Sequence, residues 1–454
     1  MTETANRMHS PAVNQKRISE IELILSLAKK AAEEAEVFLV SFEETPVIFE
    51  ANRLKQLHTR QGLSIALRII RGGKIGLATT TRLEDGTSLV DRAVAVSQFG
   101  APSRFELPGP QSYPQVEVYD AGVETLAIER MIEMGETMIS RVRAHTPDLL
   151  CEATVAKDIV SIHILNSRGG EVAFRRSSFG IVLEGNLIRN TDMLFVGDSQ
   201  SSCQPIDDVS QVVTAVINQL ELARRQASVS TGSLPVIFAP HGVVSAFIAP
   251  LASAFNGKVV LQGASPVGNR RGERIFDERL SLRDDAITSH RPSSRPCDDE
   301  GIPSQVTHLI DKGVVGSFLY DLQTAGLAGA RSTGSGDRGG GGALPSPSIS
   351  SLVFEPGDIA YEDMVRSVDE GLVVEQLMGA SQTNVLGGDF SGNVLLGYKV
   401  EKGEIVGRVK DTVVSGNIYQ VLNRIMGVSR EARWVGMVYT PAICCSDMTV
   451  GSQA

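Results

Sequence analysis

The amino-acid sequence predicts an α+β fold in two domains: an N-terminal α/β sheet domain, then a C-terminal β-rich, barrel- or sandwich-like domain with a few helices. Three observations carry that expectation. At 454 residues the chain is too long for one ordinary core. Strand-like runs group with one another and helix-like runs stand apart, which opposes a doubly wound parallel sheet. A small, polar stretch, "ASVSTGSLP" at 227–235, separates the halves. Residues 1–17 are read as a poorly ordered start, 18–226 as the N-terminal domain, 227–235 as a linker and 236–454 as the C-terminal domain.

The elements follow in order. "ISEIELILSLAKKAAEEA" places Ile18, Ile21, Leu25, Ala28 and Ala32 at helical spacing. "VFLVSFEE", "LSIALRII" and "KIGLATT" read as strands, the last two joined by Arg71-Gly72-Gly73. "SLVDRAVAVSQF" reads as a helix, and the proline-rich 101–118 as a surface connection. From about Glu124 to Ala144 a long helix puts Leu126, Met131, Met134, Met138 and Val142 on one side, a stripe that belongs in a core. Strands return over 150–198. "IDDVSQVVTAVINQLELARRQ" then closes the half as a helix with Asp207 and Asp208 at its favourable end. The second half opens with the buried-looking strand "PVIFA" and a helix from about Gly242 to Phe255. Short β runs follow, with helices near 358–367 and 417–427.

Composition bounds the function. Hydrophobic residues at 42% and charged residues at 21% fit a globular chain and not a disordered one. A formal net charge of -10 argues against nucleic acid as a ligand, because phosphate binding needs a basic surface. No apolar run reads as a membrane span and no signal peptide is legible, so a cytoplasmic protein is expected. Cys151, Cys203, Cys297, Cys444 and Cys445 are scattered, as suits reduced thiols.

"STGSGDRGGGG" at 332–342 contains G-x-G-x-x-G at Gly334, Gly336 and Gly339. A dinucleotide loop must end a strand and open a helix. Here "LPSPS" follows, and Pro345 and Pro347 forbid the helix, while no Lys completes a P-loop. Two readings stay open: a flexible surface loop, or glycines that let another backbone approach closely. "RPCDDEG" (Cys297, Asp298, Asp299, Glu300) reads as an acidic turn, since consecutive residues rarely converge on one ion. None of the seven histidines has a partner at +3 to +5, so no helical zinc pair exists. His163 and His308 fall in strand-like runs. His241, after Pro240, is either a neighbour of a helix start or a site residue.

"DDEGIPSQ" at 298–305, "SFLYDLQTAGLAG" at 317–329, "STGSGDRGGGGALPSPSISSLVFEPGD" at 332–358, "GLVVEQLMGASQTNVLGGDFSGNVLLGYKVEKGEI" at 371–405 and "DMTVGS" at 447–452 together resemble the TldD/PmbA family. The resemblance is strong after 297 and looser before it. It implies a zinc metallopeptidase heterodimer whose TldD-type subunit carries His-Glu-x-x-x-His on a helix. The corresponding helix here, "VVSAFIAPLASAFNGK" (243–258), holds no His and no Glu, and Ile248 to Ser253 offer no zinc ligand. The resemblance therefore implies a PmbA/TldE-type subunit without catalytic or metal residues. It would pair with a TldD-type zinc-bearing subunit, or with itself, to handle unfolded or leader peptides. The alternative is a homodimeric peptide-binding or regulatory protein. Ser332, Thr333, Gly334, Gly336, Arg338, Gly339, Gly340, Gly341 and Gly342 are the candidate peptide-contacting residues. Cys297, the long glycine run, and Cys444 and Cys445 depart from the family pattern.

Overall fold

The computed structural model describes residues 11–190 and 192–452. Strand outweighs helix, 41% against 23%, in the α+β arrangement the sequence predicts. The expected poorly ordered start lies partly outside the described residues, and from Pro11 the chain is helical.

The N-terminal sheet has seven antiparallel strands: β1 (Glu34–Glu50), β2 (Arg53–Leu57), β3 (Arg60–Arg71), β4 (Lys74–Thr80), β5 (Leu150–Asn166), β6 (Glu171–Arg189) and β7 (Asp192–Ser202). Their order is β4-β3-β1-β5-β6-β7, with β2 beside the end of β1. The β3–β4 hairpin turns at Gly72 and Gly73, both at positive φ, as a two-residue turn requires. β1 outruns its sequence reading and passes through Pro46, a residue that cannot donate to a ladder. It is tolerated because β2 and β3 break at His58 and Thr59, opposite Pro46.

Alternation gives this sheet two faces. Odd-numbered β1 residues face helices: Val37 and Leu39 meet α1 (Pro11–Ala28) and α2 (Gly86–Ser97). Val47 and Phe49 share a core with α4 (Ile128–His145) and α5 (Ser210–Leu222). The methionine stripe lies in that core, but the long helix is split into α3 (Ala121–Thr125) and α4. Lys157 fills the break, donating its ammonium to the carbonyls of Glu124 and Leu126. Even-numbered residues, among them Glu36, Phe38 and Val40, form the outer face, which α1, α2, α4 and α5 leave uncovered.

The second half is an eleven-stranded sheet. It runs from β8 (Gly232–Phe238) through β9 (Leu282–Asp285), β10 (Val306–Asp311), β11 (Val314–Val315), β14 (Leu352–Phe354), β15 (Glu370–Met378), β16 (Asp389–Glu401), β17 (Glu404–Arg408), β18 (Thr412–Asn417) and β19 (Ile425–Val435) to β20 (Val438–Ser452). A separate small hairpin pairs β12 (Gly336–Asp337) with β13 (Ser346–Pro347). β8, β15, β16, β18 and β20 pair in sequence and β20 returns to β8, closing a barrel. α6 (Pro240–Ala254) follows β8 directly and packs on this barrel. Phe238, Phe247 and Phe390 meet there, with ring centroids 4.8 to 6.2 Å apart.

The halves are not separate bodies of core. Val236 and Phe238 join the barrel–α6 core, while Ile237 between them joins the core of α4 and α5, as do Val373, Tyr398 and Cys444. β8 begins at Gly232, inside the connection read at 227–235, because 232–234 pair with the end of β20. All five cysteines are free and buried, and Cys297, Cys444 and Cys445 each sit in a hydrophobic cluster. Among the described residues no helix is long and apolar enough to cross a membrane.

On the outer face Asp158 stands opposite Glu44. Burial first, and then the Glu44 charge, push its carboxyl up to about 6, against the pull of Arg176. The unfolded value is about 3.9. Between these values the folded chain holds a proton that the unfolded chain releases, so stability falls as pH rises from about 4 through about 6. Asp158→Asn should therefore raise the melting temperature at pH 7.5 and leave it unchanged at pH 4. Equal effects at both pH values in thermal melts would refute this account.

Candidate functional site

The acidic turn and the glycine run, read apart in the sequence, form one structure. Asp298 Oδ1 accepts from the backbone N–H groups of Glu300 and Ile302, both at 3.0 Å, and Oδ2 accepts from Gly336 at 2.9 Å. Asp299 Oδ2 accepts from the Arg338 backbone N–H at 2.8 Å. Gly336 has no room for a side chain, since a Cβ would sit 2.8 Å from Glu300 Oε2. The acids are thus a cradle for the β12–β13 hairpin.

The hairpin is tied to the outer face by a chain of buried charges. The Arg338 guanidinium pairs with Glu36, Arg68 reaches Glu36 Oε2 at 2.8 Å, and its other arm reaches Glu300 Oε1 at 2.6 Å. All four side chains are within 3% of complete burial. Phe38 underlies Arg338 and Phe105 underlies Arg68. Burial pushes the Glu300 carboxyl up to about 8; Arg68 opposes this, and Asp298, Asp321 and Glu36 add to it. Gly341, at φ +97°, lies directly on the sheet, where a Cβ would meet Val40 at 2.6 Å.

The nine candidate residues therefore divide. Ser332 and Thr333 bond the backbone of Tyr320, and Gly334 and Gly336 fit against 298–304. Arg338 is consumed by the ion network and Gly341 by packing. Gly339, Gly340 and Gly342 stand at an exposed tip with space around them.

α6 occupies the place the resemblance gives to a zinc-binding helix. Over 248–253 it presents Ile, Ala, Pro, Leu, Ala and Ser, and the interior Pro250 has no N–H for the helix ladder. These residues do not fit a catalytic zinc. Among the described residues no three His, Cys, Asp or Glu side chains converge on a metal position.

Its polar end lies elsewhere. His241, in the first turn of α6, bonds Asp198 of β7 through Nε2 at 3.0 Å, and Arg433 of β19 grips both Asp198 oxygens at 2.7 and 2.8 Å. Burial pushes Asp198 up, but the bonds from His241 and Arg433 outweigh it and hold the carboxyl below its ordinary value. Glu375 lies beside this trio, and burial raises its pKa. Asp198 and His241 line a cavity of about 460 Å3 between the N-terminal sheet and the barrel, with Glu152, Glu184, Asn186 and Phe195. His241 was legible as a site candidate. Nothing in the sequence pointed to Asp198 or Arg433, which are 43 and 192 residues away and joined to it only by the fold.

Comparison with known proteins places this architecture. The family description "PmbA/TldA metallopeptidase C-terminal domain" fits residues 231–452, and "PmbA/TldA metallopeptidase domain 1" fits 35–97. The chain is 22% identical to an uncharacterized protein of Methanocaldococcus jannaschii, over 93% of this chain and 98% of that one. A metalloprotease TldD homolog of Buchnera aphidicola is 26% identical over 60% of this chain, and the match spans 54% of that relative's length. The crystal structure of TldE from Thermococcus kodakarensis superposes with a TM-score of 0.87 at 23% identity, covering 95% of this chain and all of the other, a likeness of fold.

Removing one partner of a buried ion network leaves uncompensated charge and costs about 3–5 kcal/mol. Arg338→Met, which leaves Glu36 with Arg68 as its one cation partner, should lower stability by about that amount in urea unfolding and expose 336–347 to limited proteolysis. An unchanged urea midpoint with an intact hairpin would show that the network does not hold this segment.

Proposed function

The chain belongs to the PmbA/TldD metallopeptidase family, and on that premise we propose that it is a non-catalytic, TldE-type subunit of a zinc metallopeptidase assembly. The observation that carries this reading is α6. At 248–253 it has only apolar side chains and one Ser, so it offers neither imidazole to a metal nor carboxylate to a water. The zinc and the bond-breaking chemistry then belong to a TldD-type partner. This chain contributes the rest of the enclosure and holds unfolded or leader peptides in register. The exposed tip at Gly339, Gly340 and Gly342 suits contact with an extended backbone, because small residues admit close approach.

Native mass spectrometry with zinc analysis tests the assembly. Coexpression with a TldD-type homologue from the same cell should give a heterodimer carrying one zinc and cleaving peptides, while this chain alone is inactive. A zinc-free homodimer that ignores the homologue would replace this reading with a homodimeric peptide-binding protein. Gly339→Ala, Gly340→Ala and Gly342→Ala together, chosen to spare Gly341, should lower cleavage by the complex and leave assembly intact. Unaltered cleavage would remove the tip from the peptide path.

A further inference from the structure

Glu152 of β5 and Glu184 of β6 are direct cross-strand partners. Both face the cavity between the sheet and the barrel. Like charges in that position repel, and neither carboxylate bonds another described residue. Two places along β6, Asn186 lines the same cavity, with its Oδ1 buried and unpaired. Asp198 adds no free charge, because His241 and Arg433 occupy it. The cavity wall therefore carries two unpaired carboxylates and an unpaired amide oxygen.

We propose that this cavity takes a cationic group of an extended peptide, a Lys or Arg side chain or a free amino terminus. Glu152 and Glu184 would flank the charge and Asn186 Oδ1 would receive one N–H. Leu150, Phe195, Leu395 and Val435 line the rest of the cavity and suit an aliphatic stem. The net charge of -10 favours approach of such a ligand. Recognition is through the charged group and not through strand addition at β7. Gln219 already occupies both backbone groups of Gly197, at 2.8 and 3.1 Å, and Arg408 occupies the Met193 carbonyl at 3.0 Å.

This inference rests on the peptide-handling reading, but its test does not depend on the partner subunit. Fluorescence anisotropy on the full chain would compare an unstructured peptide bearing one central Lys and a C-terminal fluorophore with two analogues, Lys replaced by norleucine and the amino terminus acetylated. A loss of roughly tenfold in affinity is expected on removing the responsible charge, the scale of one charge-assisted hydrogen bond. Whichever analogue loses affinity identifies side chain or amino terminus as the source. Glu152→Gln/Glu184→Gln should abolish the preference while melting no lower than the parent, since both side chains are exposed and their repulsion is relieved. Equal binding of all three peptides, absence of binding, or a preference that survives the double substitution would each overturn the proposal. The coexpression result would stand in any of those cases.

Discussion

The structure turns on one chain of alternating charges, Arg338–Glu36–Arg68–Glu300, buried where the two halves meet. A buried ion pair is costly to form, because desolvation consumes most of its Coulomb energy. What such a chain specifies is position. A glycine hairpin has little side-chain surface with which to hold a place of its own. Here the two guanidinium groups and two carboxylates give it one address on the outer face, between Phe38 and Phe105. The acidic turn supplies the complementary half, with Asp298 and Asp299 accepting backbone N–H groups from the hairpin base. Gly336 is crowded by the acidic turn, and Gly339, Gly340 and Gly342 stand free at the tip.

The roles of the two sheet faces follow from the same constraint. Four helices cover the odd-numbered face in the ordinary manner of an antiparallel sheet. The even-numbered face is covered at one end by the hairpin and its acidic cradle, while the far end of β5, β6 and β7 stays open to the cavity. Because cores extend across the junction of sheet and barrel, the cavity has walls from both halves held in fixed relation. A cleft built this way needs no hinge to bring its walls together.

Much of the fold was legible in the sequence because it is written in local pattern. The period-2 runs of β3 and β4 and the methionine stripe of α4 state their own structure, and the Gly72-Gly73 turn states its connection. The glycine run could be freed from a nucleotide role by the prolines that follow it. The remainder was illegible for one physical reason, which is that its meaning lies in pairs distant in sequence. Arg338 reads as a polar loop residue until Glu36 is found 302 positions away, and "DDEG" reads as a surface turn until Arg68 and Gly336 are brought to it. Lys157, from another element altogether, caps the carbonyls at the break between α3 and α4. The sequence pattern therefore identified the loops and left open what each one touches.

That division bears on what α6 is for. A helix kept for catalysis would place ionisable groups at its centre, where adjacent turns align side chains on one face. α6 does the reverse. Its centre is apolar and interrupted by Pro250, and its Phe247 packs against Phe238 and Phe390. Its ionisable chemistry lies at His241 in the first turn, which faces Asp198 across the junction of the halves. A buried carboxylate shared by an imidazole and a guanidinium is a rigid assembly, since each partner fixes the orientation of the other. Its Asp198 and His241 line the cavity without contributing free charge. The charges that remain unanswered, Glu152 and Glu184, belong to the sheet wall. In this chain most of α6 is framework, and the unpaired acceptors of the cavity stand on β5 and β6.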